Sequence, residues 1–170
     1  GKDIKLKNTN LIISKGFQQF LYSGKRKILD FSLSSGALIL GHSNKIFKKS
    51  ILQQINKGSN YSNTNSNEFN YKIELKKTFK EFDKIIFSNS GSEANIRALR
   101  IARSVTKKQK YAMVNGSWHG SVDNFMFDFV KNKNSNQSKI HSLSSGIDHI
   151  KKDVILIPYN NIKVTKKILD

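Results

Sequence analysis

Apolar residues recur every three or four positions in three segments, and this spacing predicts three amphipathic helices. The first helix is capped by Ser43 or Asn44 and stops at Gly58, and the third spans residues 93–105. We expect the first helix to bury its apolar face. The apolar positions are Ile46, Phe47, Ile51 and Ile55 in the first helix, Tyr71, Leu75, Phe79 and Phe82 in the second, and Ala94, Ala98, Ile101, Ala102 and Val105 in the third.

Shorter runs of strand-forming residues predict a hairpin and three buried strands. Residues 17–22 and 27–31 flank the glycine-containing turn 23–25, which is typical of an antiparallel hairpin. Because the third helix separates two of the buried strands, their order predicts an α/β domain with a right-handed crossover and ligands at the carboxyl ends of its strands. Residues 131–145, polar and rich in asparagine, lysine and serine, are predicted to form a mobile loop. The buried parallel strands are expected at residues 85–87, 111–114 and 154–158.

The segment 88–94, which joins the first buried strand to the third helix, has the pattern of an anion-binding helix start. Ser90 and Glu93 have capping-box spacing, in which the serine hydroxyl accepts from a first-turn amide and the glutamate reaches back to the Ser90 amide. Gly91 lets the backbone approach a ligand closely, and Ser92 adds a hydroxyl. Free amides and a positive dipole end suit a phosphate group. An ordinary capped helix without a ligand is the alternative interpretation.

A second candidate segment, residues 115–120, follows the next predicted strand. It holds Trp118, the only tryptophan, on a turn flanked by Gly116 and Gly120. If the two strands are neighbours, the indole lies beside the phosphate loop, where its face could stack on a flat cofactor ring. The alternatives are a buried core role for Trp118 and a purely structural role in the turn for His119.

The charge of the chain raises the question of a polyanionic partner. The 170 residues carry a net charge of +18, from 30 basic and 12 acidic residues, and nucleic acid or anionic lipid would attract such a chain. Only four of the basic residues are arginine, the residue that favours bidentate recognition, and the lysines are scattered from Lys2 to Lys167. We therefore interpret the charge as a compositional bias of the source genome and expect neither a nucleic-acid nor a membrane partner.

Other features of the composition exclude several classes of site. The absence of cysteine excludes a disulfide scaffold, a thiolate metal site and a cysteine nucleophile, and we expect no metal. The apolar run 11–13 is too short for a signal-peptide core, and no stretch approaches the roughly 20 apolar residues of a membrane span. We expect a soluble, cytoplasmic protein. The chain begins at Gly1 and stops at Asp170, directly after a helix-like stretch, and reads as cut at both ends.

Taken together, these motifs resemble the class III aminotransferases, most closely the glutamate-1-semialdehyde 2,1-aminomutase branch. The resemblance runs from about residue 17 to residue 161. It implies the aspartate-aminotransferase-like fold, PLP fold type I, with residues 1–56 as the N-terminal segment of the small domain. Residues 57–170 would be the first part of the large cofactor domain, with an incomplete parallel sheet. The motifs are Asp30-Phe31, Leu40-Gly41-His42, Glu68, residues 89–94, Ala98, Ala102-Arg103, Trp118-His119-Gly120 and residues 156–161.

The resemblance also implies an activity, a cofactor and roles for individual residues. The complete enzyme would transfer an amino group through a Schiff base with pyridoxal 5'-phosphate, acting on a small-molecule amino donor or acceptor as a homodimer. Gly91 and Ser92 would hold the phosphate, Trp118 would stack on the pyridine ring, and Glu93 would support the site from behind. The implied cofactor-binding residues are Ser90, Gly91, Ser92, Glu93, Trp118 and His119, and Ser34 is the implied substrate-side serine.

Departures from the family pattern leave the substrate open. Thr64-Asn65 stands where the family commonly has proline and threonine, and Ser34-Ser35 lacks the tryptophan of true semialdehyde aminomutases. The family's cofactor-linked lysine and the aspartate that pairs with the pyridine nitrogen lie beyond the segment resembling residues 156–161, so we assign no catalytic residue within this chain. Transamination and intramolecular amino transfer both remain open. A catalytically inactive scaffold of the same fold and a basic nucleic-acid-binding module are the alternatives.

Overall fold

The computed structural model describes residues 11–131 and 138–170. These residues form two compact units, which meet in the sequence between Asp83 and Lys84. The expected boundary after residue 56 falls inside the first unit. It concerns the small and large domains of a complete enzyme and stays a prediction.

The first unit opens with a three-stranded antiparallel sheet in the order β1 (Lys15–Phe17), β2 (Phe20–Ser23) and β3 (Arg26–Leu29). Strands β2 and β3 form the predicted hairpin and close at the pair Ser23 and Arg26. Gly24 takes a positive φ of 56° in this turn, a conformation that glycine adopts readily. The run 17–22, predicted as one arm of the hairpin, is divided in the structure, because Phe17 ends the additional strand β1 and pairs with Phe20 of β2.

Two helices follow in the first unit, α1 (Lys45–Ile55) and α2 (Ser66–Thr78). Asn44 is the cap of α1, because its side-chain oxygen accepts from the Ile46 amide at 2.9 Å and the Phe47 amide at 3.2 Å. Within the described residues neither helix has a buried residue, so the expected burial of the α1 stripe is wrong for this part of the chain. An apolar stripe becomes buried only where another layer covers it.

Aspartate 30 organises the turn that precedes α1. Its Oδ1 accepts from the Ser32 amide at 2.9 Å and the Leu33 amide at 3.1 Å, and its Oδ2 lies 2.8 Å from His42 Nε2. In the turn that follows Asp30, the four consecutive residues from Leu33 to Gly36 all have positive φ values, between 43° and 85°. Left-handed backbone costs a residue with a side chain roughly 1–2 kcal/mol, so the contacts of Asp30 hold a turn that is intrinsically unfavourable.

The second unit contains α3 (Gly91–Thr106) and a parallel pair of strands, β4 (Tyr111–Val114) and β7 (Val154–Ile157). In sequence, an antiparallel pair separates these two strands: β5 (Phe127–Lys131) and β6 (Ser138–Ser142). Helix α4 (Ile162–Leu169) follows β7. Short 3-10 helices occupy Asp123–Phe125 and Asp148–Asp153. The buried core consists of Met113, Phe127, Ile147, Val154 and Leu156.

Arginine 103 connects the C-terminal part of α3 to the start of β4. Its Nε donates to the Gln109 carbonyl at 2.9 Å, and its guanidinium lies over the Tyr111 ring, 5.1 Å from the centroid. The Asp153 carboxylate lies 3.6 Å from the same guanidinium. Tyr111 in turn donates to the Asn124 carbonyl, and burial raises the pKa of its hydroxyl. These contacts position α3 against the β4–β7 pair.

Two predictions about the second unit are wrong. Residues 85–87 do not form a strand in the structure, and the Ile86 side chain is 64% exposed. A three-residue apolar run becomes a buried strand only where a neighbouring strand and a covering layer accept it. The polar segment 131–145 is not simply a loop, because β6 lies within it and pairs Ile140 with Phe129 of β5. Residues 132–137 of that predicted loop lie outside the described residues.

A search of the described helices for one long and apolar enough to cross a membrane finds none.

The contacts of Asp30 predict a dependence of stability on pH. The hydrogen bond from His42 and those from the Leu33 and Ser32 amides lower the pKa of Asp30 below its ordinary value of 3.8. A lowered folded-state pKa means that the stabilisation is fully present above the unfolded value and is lost as pH falls through the folded value. The unsubstituted chain should therefore exceed Asp30→Asn in unfolding free energy by a constant amount above about pH 5, and this excess should shrink as the pH falls below that value.

Urea unfolding at several pH values measures this difference. Asp83→Asn, which neutralises an exposed carboxylate of the same unit, is the matched control and should show a smaller excess throughout. An excess for Asp30→Asn that is independent of pH would contradict the assigned ionisation.

Candidate functional site

The start of α3 is capped as the serine and glutamate spacing predicts, with one difference. Ser90 is extended, its Oγ accepts from the Glu93 amide at 3.2 Å, and its carbonyl accepts from the Ala94 amide at 3.1 Å. The Glu93 carboxylate accepts from the Asn89 amide at 2.8 Å rather than from the Ser90 amide, so that part of the prediction is wrong. A glutamate side chain is long enough to reach either amide, so sequence spacing alone does not choose between them.

The first two amides of α3 are available to a ligand. Among the described residues, the amides of Gly91 and Ser92 have no hydrogen-bond acceptor. Apart from its chain neighbours and the backbone of its own helix, no atom of the described residues lies within 4 Å of the point where a Cβ on Gly91 would stand, so the backbone is open to approach. Because helix amides point along the axis and carry the positive end of the dipole, this helix start attracts an anion.

The Ser92 hydroxyl has a defined hydrogen-bonding role. Its oxygen accepts from the Ser121 amide at 3.1 Å, and the residue is half-buried. A serine hydroxyl has one hydrogen to donate and two lone pairs. Since one lone pair receives the Ser121 amide, the hydrogen remains available for an acceptor such as a phosphate oxygen.

The turn after β4 is anchored at its beginning by backbone and side-chain hydrogen bonds. The Asn115 amide donates to the Ile157 carbonyl at 2.8 Å and extends the parallel ladder, while the Asn115 side chain accepts from the Phe129 amide at 2.7 Å. The Gly116 amide donates to the Asp128 carboxylate at 3.2 Å. The turn therefore leaves the sheet in a fixed direction, at the carboxyl ends of β4 and β7.

The end of the same turn lies against the first turns of α3. The Asn95 side chain donates from Nδ2 to the His119 carbonyl at 2.8 Å. Gly120 is buried, and a Cβ built on it would lie 2.7 Å from Ser92 Oγ and 2.9 Å from Ser92 Cα. The predicted proximity of residues 115–120 to the phosphate loop is thus present in the structure, although residues 85–87 are not the strand through which we expected it.

Trp118 and His119 differ in how the turn uses them. Trp118 is 68% exposed, so the described residues do not bury it as a core aromatic. His119 is half-buried, and its Nε2 lies 3.0 Å from the Val114 carbonyl. Because a carbonyl only accepts, Nε2 carries the hydrogen in this contact. The His119 ring therefore holds the turn to β4, and the indole of Trp118 stays open to a ligand.

The structure brings most of the sequence-predicted site residues into one place. Ser90, Gly91, Ser92 and Glu93 form the α3 start, and Trp118 and His119 lie on the turn that contacts it. Their roles toward a cofactor stay predictions. Ser34 lies in the first unit, in the left-handed turn after Asp30, and its role also stays a prediction.

Sequence reasoning missed the site residues Asn95 and Ser121 and gave Gly120 no role. Asn95 and Ser121 contact partners 24 and 29 residues away, a distance that no local spacing rule addresses. The position of Gly120 directly after Trp118 and His119 in a turn could have indicated its role, because glycine at a turn indicates either a positive φ or a close approach of its backbone to another group. The structure shows both, with a φ of 116° at this residue.

The chain is similar to known proteins in sequence and in fold. The glutamate-1-semialdehyde 2,1-aminomutase of Nitrosopumilus maritimus is 33% identical over 145 residues, which are 85% of this chain and 34% of that protein. An omega-transaminase from Sphaerobacter thermophilus superposes with a TM-score of 0.84 at 22% identity, over 92% of this chain and 37% of its own. A transaminase with PLP bound gives a TM-score of 0.82 at 23% identity, over 94% and 37% of the two chains.

These similarities confirm the expected aminotransferase fold and the resemblance to the semialdehyde aminomutases. The chain spans about a third of the length of each of these relatives. The family described as Aminotransferase class-III matches residues 5–169. The chain therefore belongs to the class III aminotransferase family.

Proposed function

We propose that this chain supplies half of the cofactor site of a pyridoxal-phosphate-dependent enzyme that transfers an amino group, between two molecules or within one. The observation that carries the proposal is the docking of the Trp118 turn on the start of α3 through Gly120 and Ser92. It joins an anion-binding helix start to an exposed aromatic ring. Pyridoxal phosphate has both a phosphate and a flat ring, and the named relatives are an aminomutase and transaminases.

The α3 start fits a phosphate group in charge and in hydrogen-bonding capacity. The amides of Gly91 and Ser92 and the Ser92 hydroxyl are three donors in adjacent positions. The acidic Glu93 lies on the same turn, but its carboxylate is engaged with the Asn89 amide on the loop side of the helix start. The phosphate would therefore be held by donors, with the dipole of α3 adding to the attraction.

The exposed indole of Trp118 fits a flat aromatic ring. With 68% of its surface exposed, the indole has a free face against which another aromatic ring can pack in an offset or edge-to-face arrangement. Hydrogen bonds of Asn115 and His119 and the close packing of Gly120 fix the turn, so the backbone that carries the Trp118 indole is ordered. Offset stacking on a pyridine ring would orient the cofactor and exclude water from one of its faces.

The chemistry divides between the cofactor and the protein. When bound, pyridoxal phosphate supplies an electron-withdrawing ring that stabilises negative charge at the carbon from which a proton is removed. In this proposal Gly91 and Ser92 bind the phosphate, Trp118 orients the ring, and Glu93 and His119 hold the two segments that carry them. We propose that the lysine that binds the cofactor, and the aspartate that pairs with its pyridine nitrogen, follow Asp170 in the sequence of the complete protein. We also propose that the complete protein is a homodimer.

A carboxylate in place of the Ser92 hydroxyl tests the phosphate contact. In the complete protein, Ser92→Asp should raise the Kd for pyridoxal phosphate tenfold or more, because repulsion of roughly 1.4 kcal/mol already corresponds to a factor of about ten. The preference for pyridoxal phosphate over unphosphorylated pyridoxal should fall with it. Ser104→Asp, which places the same charge at an exposed position near the other end of α3, is the control. An unchanged preference in Ser92→Asp would rule out the phosphate role.

Removal of the indole tests the stacking contact. Trp118→Ala should weaken pyridoxal phosphate binding about twofold to tenfold, because aromatic stacking contributes roughly 0.5–1.5 kcal/mol beyond buried area. Trp118→Phe should retain most of the affinity, since it keeps an aromatic face. Equilibrium dialysis with the complete protein gives both constants. If Trp118→Ala binds the cofactor as tightly as the unsubstituted protein, the ring does not stack on the indole.

The close approach of Gly120 and Ser92 predicts a stability difference between two glycine variants. Gly120→Ala should lower the free energy of unfolding by roughly 2–4 kcal/mol, because it adds a steric conflict to the strain of a positive φ. Gly116→Ala is the matched control: its φ is 72°, and apart from the chain neighbours no atom in the described part of the chain lies within 4 Å of the added carbon. This control should lower the free energy of unfolding only by the strain of a positive φ, roughly 1–2 kcal/mol. Equal losses in urea unfolding would show that the contact with Ser92 is not tight in solution.

A further inference from the structure

Asparagine 95 lies on the first turns of α3 and contacts the turn that carries Trp118. Its Nδ2 donates to the His119 carbonyl at 2.8 Å, and the two residues are 24 positions apart in sequence. Ser92 and Asn95 are three residues apart, so they lie on the same face of α3. That face contacts consecutive residues of the turn, with Asn95 at His119 and Ser92 at Gly120 and Ser121.

The Asn95 contact holds a part of the turn that has little other backbone support. Ser117 donates to the Val114 carbonyl at 3.3 Å, and Ser121 donates to Ser92 Oγ at 3.1 Å. Between these two amides, the described residues provide two further hydrogen bonds: the one from Asn95 to the His119 carbonyl, which joins the turn to α3, and the one from the His119 ring to the Val114 carbonyl, which joins it to β4. Trp118 lies in this interval, directly before His119.

We propose that Asn95 is a positioning residue that holds Trp118 at a fixed place relative to the donors of Gly91 and Ser92. The inference deepens the proposed function and rests on it. All three residues belong to one rigid helix, so a single body supplies the phosphate donors and the anchor of the aromatic turn. The Asn95 contact thereby relates the place of the stacking ring to the phosphate donors on α3, while the His119 ring relates the same turn to β4.

The chemistry of the contact requires a hydrogen-bond donor at position 95. The His119 carbonyl is an acceptor and needs a donor, which Asn95 provides through Nδ2. An aspartate of nearly the same size would place an acceptor against an acceptor. Alanine would remove the contact altogether while favouring the helix. Glutamine keeps the donor on a side chain that is one methylene longer.

Trp118 itself reports the effect, because it is the only tryptophan in the chain. Time-resolved fluorescence anisotropy of the 170-residue chain, without cofactor, measures the nanosecond motion of the indole. Asn95→Asp and Asn95→Ala should increase the amplitude of the fast decay, and acrylamide should quench their fluorescence more strongly. Asn95→Gln should lie closer to the unsubstituted chain. Ser104→Ala, an exposed polar residue of the same helix, should change nothing.

Circular dichroism establishes that each variant keeps its helices, and Asn95→Ala decides the question if Asn95→Asp does not fold. Fluorescence of Asn95→Ala that matches the unsubstituted chain in both anisotropy and quenching would overturn the proposal. A change of equal size in Ser104→Ala would also overturn it, because the effect would then not be specific to the turn.

A second measurement separates this inference from the proposed function. In the complete protein, Asn95→Ala should raise the Kd for pyridoxal phosphate roughly threefold to tenfold, with the preference over pyridoxal unchanged, because the phosphate donors remain. Loss of that preference would overturn the positioning role, since Asn95 would then act on the phosphate seat. If the unsubstituted protein binds no pyridoxal phosphate, the proposed function fails, and the fluorescence result still decides whether Asn95 positions Trp118.

Discussion

The approach of Gly120 to Ser92 is the contact on which the candidate site depends. The space between them is smaller than a methyl group, since an added Cβ would lie 2.7 Å from the Ser92 hydroxyl oxygen. A turn from the end of β4 therefore reaches the backbone of α3 directly, without an intervening side chain. The Ser121 amide and the Asn95 side chain hydrogen-bond across the same junction. At the other end of α3, Arg103 contacts Gln109 and the Tyr111 ring, so the helix is held to β4 at both ends.

How far the sequence predicts this arrangement depends on the range of the interactions involved. Strand β4 has the bounds that its apolar run predicts, and the serine cap of α3 is present, because both follow from residues within a few positions of each other. The predicted strand at residues 85–87 is absent, and the pairing of β5 with β6 was not expected. In both cases the outcome depends on distant segments. Ile140 pairs with Phe129 inside a stretch that polar composition alone marks as a loop.

The candidate site shows the same division. Its residue types were predictable, since a serine-rich helix start and a tryptophan on a glycine turn are local patterns with a chemical meaning. The hydrogen bond of the His119 ring to Val114 and the free face of Trp118 required the structure. The resemblance to a family connected the two motifs before any contact between them was known. The reasoning from strand order connected them only on the condition that residues 85–87 form a strand next to β4, and residues 85–87 form no strand.

The left-handed turn after Asp30 has a consequence for how the sequence could change. Leu33, Ser34 and Ser35 adopt positive φ values without being glycine, and each is strained by roughly 1–2 kcal/mol relative to a residue without a side chain. Glycine at any of them would relieve strain, at the expense of a more flexible unfolded chain. At Ser34, however, glycine would also delete the hydroxyl that the family resemblance associates with the substrate. Replacing Ser34 by glycine would therefore stabilise the folded turn and, at the same time, remove a group on which substrate specificity would depend.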